Sequence, residues 1–182
     1  MTNRLCLLLL TAVLASPAIG HCAGEEACVR GEPAPVFPAA QAGIKAHRFN
    51  TVSSHEARER VELASGMTVD IHHQGCEYFV TTFRFEGAGI LKSDASIKAS
   101  YQAAAELLRQ LGHLKSDPGF DLALAAATLE KASRSAQPLA FELELPVAGD
   151  GTDFLQSQVK LDNAGRKAAS GFVQITLFKG PL

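Results

Sequence analysis

The sequence predicts an α+β domain: an antiparallel sheet in two layers with an α-helical hairpin on one face, in the order strands, two helices, strands. Three observations predict it. Residues 60–85 alternate with the period of strands. Residues 97–132 carry two amphipathic helical stripes joined by a short link. Residues 141–178 return to strand alternation. Strands grouped at both ends, rather than interleaved one by one with helices, argue against a doubly wound parallel sheet.

The chain opens MTNRLCLLLLTAVLASPAIGHCAG. Arg4 is a positive n-region, Leu5 to Leu14 an apolar h-region, and Ala18 and Gly20 stand where signal peptidase reads small side chains. The apolar run is shorter than the roughly 20 residues that a membrane span needs. The expectation is a signal peptide over residues 1–20, export to the periplasm or the medium, and no membrane span after cleavage. A lipoprotein attached at Cys22 is the weaker alternative, because His21 stands where that enzyme wants a small residue. Residues 21–40 read as an extended lead-in, since Pro33, Pro35 and Pro38 fix φ and lack donors. Residues 41–182 form the single domain.

Ala46 to Val52 reads as an edge strand, and Ser54 to Arg60 as a polar helical turn or loop. Val61 and Leu63 belong to a strand before the turn Ala64-Ser65-Gly66. Met67, Val69, Ile71 and His73 then share one strand face, with Thr68, Asp70 and His72 on the other. After Gln74-Gly75, Phe79, Thr81, Phe83 and Phe85 share one face and Tyr78, Val80, Thr82 and Arg84 the other. This is a hairpin. His73 is expected to be half-buried.

Ser93 or Asp94 caps the first helix, whose stripe is Ile97, Tyr101, Ala104, Leu108 and Leu111, with Gly112 as its C-cap. Ser116-Asp117-Pro118 reads as the start of the second, whose stripe is Leu122, Ala125, Ala126, Leu129 and Ala132. Pro138 bars continuation. Phe141, Leu143, Leu145 and Val147 make a strand, Asp150-Gly151 a turn, Leu155, Val159 and Leu161 a strand, and Asp162 to Gly165 a turn. Val173, Ile175 and Leu177 form the inner face of the last strand, with Phe172 and Phe178 opposite.

Removing residues 1–20 takes away Arg4 and leaves 16 basic against 19 acidic residues, a net charge of −3. That balance gives no footprint for nucleic acid. Cys22, Cys28 and Cys76 remain, and in an oxidising compartment two should pair. Cys28 with Cys76 is favoured, a closure of about 48 residues that stabilises by about 4 kcal/mol in the chain-entropy model. Cys22 with Cys28 competes.

No catalytic residue can be named. The sequence lacks the serine-hydrolase elbow, the P-loop and the dinucleotide fingerprint. Asp70 and His72 share a face and are candidate metal ligands, but two fall short of the usual three or four. His47, His55 or His113 would have to complete the set. No cofactor is implied. Tyr78, Val80, Phe172 and Phe178, on the face away from the expected core, are the candidate binding residues. The leading expectation is an exported, non-catalytic binding module that engages an envelope protein or a small ligand through its sheet, as an inhibitor or immunity-type protein would. The alternative is an exported hydrolase or metal-dependent enzyme using Asp70 and His72.

Overall fold

The computed structural model describes residues 31–92, 95–152 and 155–181; the expected signal peptide, Cys22, Cys28, Ser93 and Asp94 lie outside them. Seven strands and two helices follow in order: β1 (Ile44–Ser53), β2 (Glu56–Leu63), β3 (Thr68–Gln74), β4 (Phe79–Gly87), α1 (Ile97–Gly112), α2 (Leu122–Arg134), β5 (Glu144–Thr152), β6 (Leu155–Lys167) and β7 (Ser170–Pro181). They form one antiparallel sheet, ordered β1-β2-β3-β4-β7-β6-β5. The first four strands meander, the helical hairpin crosses to the far edge, and the last three meander back until β7 pairs with β4. This is the α+β order that the sequence predicts.

Alternation explains the layers. Val61, Leu63, Val69, Ile71, Phe83, Phe85, Val173, Ile175 and Leu177 are buried on one face, with Val159 and Leu161 of β6. Against them lie Tyr101, Ala104, Leu108 and Leu111 of α1 and Leu122, Ala125, Ala126 and Leu129 of α2. Small alanines let the helices approach each other and the sheet closely. Arg109 of α1 reaches Glu130 of α2, which also holds Arg134. Tyr101, fully buried, donates its hydroxyl to the Ala140 carbonyl at 2.8 Å, and burial raises its pKa.

The helices press on β5, β6 and β7. The β2 side of the same face has a different cover, the lead-in, with Val36 and Phe37 fully buried. The Asp117 amide donates to the Val36 carbonyl at 2.8 Å, and Gln41 exchanges hydrogen bonds with Lys115. Val36 and Phe37 of the lead-in are thus part of the core.

Several local expectations are corrected. Residues 54–60 are not a helical turn or loop: β1 and β2 form a hairpin around Ser54-His55, with Ser53 opposite Glu56. A glutamate at the core position 59 had hidden the alternation. Ser96, not Ser93 or Asp94, caps α1, accepting from the Ala99 amide at 3.2 Å. The last turn runs through Gly112, and His113 is the C-cap. Asp121, not Ser116 or Asp117, caps α2. Gly119, with φ of 73°, breaks any earlier start. Asp150-Gly151 and Asp162 to Gly165 lie within β5 and β6, and the register shifts there mark irregularities in continuing ladders. The turn before β7 is at Ala168, with φ of 55°. Phe141 and Leu143 precede β5 and are exposed.

Candidate functional site

Neither helix lies on the second face of the sheet, and its side chains follow from the strand registers. One cross-strand row runs Arg48, Arg60, Asp70, Arg84, Gln174. The next runs Asn50, Arg58, His72, Thr82, Thr176, Lys160, Glu144. A third runs Gln74, Val80, Phe178, Gln158, Pro146. Opposite residues on one face stand within side-chain reach. The first row, with Asn50, Arg58, His72 and Thr82 of the second, lines a groove of about 680 Å³. A smaller hollow of about 400 Å³ lies at Val80, Phe178, Lys160 and Glu144.

Polar contacts order this face. Arg60 Nη1 donates to both Asp70 oxygens at 2.6 and 2.8 Å. His72 Nε2 meets Glu56 Oε1 at 2.7 Å. That hydrogen bond holds the Glu56 carboxyl below its ordinary pKa, with the nearby Arg58 assisting. Arg84 donates to Glu86 and lies 4.4 Å from the centroid of the Phe172 ring. Asp162 accepts from Thr176 at 2.6 Å.

Tyr78, Val80, Phe172 and Phe178 all fall on this face, as the alternation predicts, but they are two clusters. Tyr78 and Phe178 rings lie 5.5 Å apart, and Val80 pairs with Phe178. Phe172 sits farther along β7, opposite Glu86 and beneath Arg84. Thr82, Thr176 and Gln174 separate the two.

Asp70 and His72 share the face but are committed to different partners, Arg60 and Glu56. His47 faces the core, His55 contacts Ser54 in a turn, and His113 caps α1. Among the described residues no group of three or more His, Cys, Asp or Glu could hold a metal ion.

The core face holds a polar cluster that sequence reasoning missed. Glu59, with a side chain wholly removed from solvent, meets His47 Nε2 at 2.8 Å and His73 Nε2 at 3.3 Å. Its oxygens also accept from the amides of Val36 and Phe37 at 2.7 and 3.1 Å. His73 is buried rather than half-buried, and the Phe49 ring meets it edge-on. Burial pushes the Glu59 carboxyl up, but hydrogen bonds from His73, Val36, His47 and Phe37 outweigh it and leave the pKa below 4.5. Two histidines and a carboxylate match a familiar metal set. Here four N–H donors already occupy the carboxylate, so the cluster is a clamp on the lead-in. The only sequence signal was a glutamate at a core position of a period-two strand.

Cys76 lies in the turn between β3 and β4 and is disulfide-bonded; pairing with Cys28 falls outside the described residues. The turn needs Gly75, whose φ is 106° and where an added Cβ would come within 2.0 Å of the Tyr78 carbonyl oxygen.

Comparison with known proteins found no matching family, no matching curated protein and no matching solved structure. No helix among the described residues is long and apolar enough to cross a membrane.

Proposed function

We propose that this chain is an exported binding module that takes up a small ligand on the helix-free face of its sheet. The observation that carries the reading is the groove of about 680 Å³ lined by the row Arg48 to Gln174 and by Asn50, Arg58, His72 and Thr82 of the next. That volume lies within the range of small-molecule sites, roughly 300–1,000 Å³. Arg60, Asp70, His72 and Arg84 in its lining are already held by ion pairs, which reduces the entropy lost at those side chains when a ligand docks. Export is supported by the pattern of residues 1–20, and the Cys28–Cys76 staple by the disulfide state of Cys76. Asp70 and His72 belong to this reading as groove residues.

The test is a small-molecule screen read by amide chemical shifts. Hits should perturb residues of β1 to β4 and β7 whose side chains point away from the helices. Hits that instead cluster on α1 and α2 would overturn the proposal.

A further inference from the structure

We infer that the groove is an anion site, selecting a small ligand that carries a phosphate or carboxylate group near Arg48 and Arg60. The inference rests on the groove being the binding surface and names the chemistry it takes. Four guanidinium groups line it, those of Arg48, Arg58, Arg60 and Arg84, against the single exposed carboxylate of Asp70 within it. Glu56 and Glu86 stand at its borders.

Arg48 and Arg60 are directly opposite each other across the β1–β2 ladder. Like charges in that relation destabilise a sheet unless something neutralises them. Asp70 neutralises Arg60 through Nη1 alone, and the Arg60 side chain is 59% exposed. Arg48 is exposed and has no ion-pair or hydrogen-bond partner among the described residues. Arg58 is 3.7 Å from Glu56, a loose contact on a side chain that is 69% exposed. Arg84 is held in place by Glu86 and the Phe172 ring.

An oxyanion between Arg48 and Arg60 would accept from both guanidinium groups, whose forked donors suit such oxygens. Gln174, in the same row, offers an amide at the groove's far end. A ligand with one anionic head and a short polar body fits this arrangement. An apolar ligand would instead choose the hollow beside Val80 and Phe178.

The experiment is an amide-shift titration of the folded protein with pyrophosphate, with citrate, and with uncharged indole. Saturable shifts with either anion, centred on β1, β2 and β3, are expected. Pyrophosphate binding without citrate binding would mark a phosphate ligand, and the reverse a carboxylate. Arg48→Ala should weaken binding about tenfold or more, the loss of a charged donor. Lys45→Ala, which removes an equal charge outside the groove, should leave it unchanged. Equal weakening by both variants would overturn the site in favour of diffuse attraction. Indole shifts at Val80 and Phe178 without anion binding would overturn the anion class and keep the face as a binding surface. No shifts on this face with any probe would overturn both.

Discussion

Strand β2 carries two glutamates that each meet histidine, one on each face of the sheet, and they do different things. Glu56 faces solvent and holds His72 at 2.7 Å. Glu59 lies on the core face and accepts from two histidines and two backbone amides. The exposed pair orients a side chain in the groove. The buried one fastens a segment of chain to the sheet. The difference follows from water: an exposed carboxylate that loses its histidine is hydrated again, whereas a buried one leaves its donors with nothing.

The largest expected effect breaks the comparison at its buried member. Glu59→Ala orphans the amides of Val36 and Phe37 and the rings of His47 and His73. At a little over 1 kcal/mol for each of four buried donors, the loss should be about 5 kcal/mol in chemical denaturation. Glu56→Ala should leave the denaturation midpoint where it was. Similar losses for the two would mean that burial does not distinguish them.

The fold was legible in the sequence wherever side chains obeyed one rule at a time. β3, β4 and β7 alternate cleanly, so Phe83, Phe85, Val173, Ile175 and Leu177 were placed correctly. The helical stripes of α1 and α2 were equally plain. The misses lie where a polar residue occupies a core position or a turn residue sits inside a strand. Glu59 looks like a surface residue, and His73 like a half-buried one, until Val36 and Phe37 supply donors to Glu59, and those lie more than twenty residues away from it. Asp150 reads as a turn, yet it holds the Asp121 amide and Lys179 across the fold. Of the candidate site, the face of Tyr78, Val80, Phe172 and Phe178 was legible from period two. The arginine row was not, because Arg48 and Arg60 come together only through the β1–β2 register.

The second effect asks whether a covalent bond fastens the lead-in beside the clamp. Cys76 sits in the turn that follows His73, and our proposed bond to Cys28 would fix the segment beyond Val36. Cys76→Ser should then lower stability by up to about 4 kcal/mol under oxidising conditions and change little after reduction. Reduced protein should also lose more from Glu59→Ala in local protection of the Val36 and Phe37 amides, read by hydrogen exchange. An equal drop from Cys76→Ser in both conditions would sink the staple.

The smallest effect is a shift in two titrations. Both carboxyls lie below 4.5, but for different reasons: a histidine hydrogen bond dominates at Glu56, while at Glu59 burial is the largest influence and pushes upward. A depressed carboxyl stabilises the fold fully above its unfolded pKa, and that contribution drains away as pH falls below 4.5 toward the folded value. The acid loss from Glu59 should therefore begin just below pH 4.5 and be absent in Glu59→Gln. Carboxyl ¹³C titration separates the causes. His72→Ala should return Glu56 toward 4.5 and stop there, since water replaces the ring. His47→Ala and His73→Ala should each move Glu59 upward, and the double variant should carry it past 4.5, because burial remains when the donors are gone. A Glu59 that stayed below 4.5 without either ring would assign the clamp to the Val36 and Phe37 amides alone, and the histidines would then be passengers in the core.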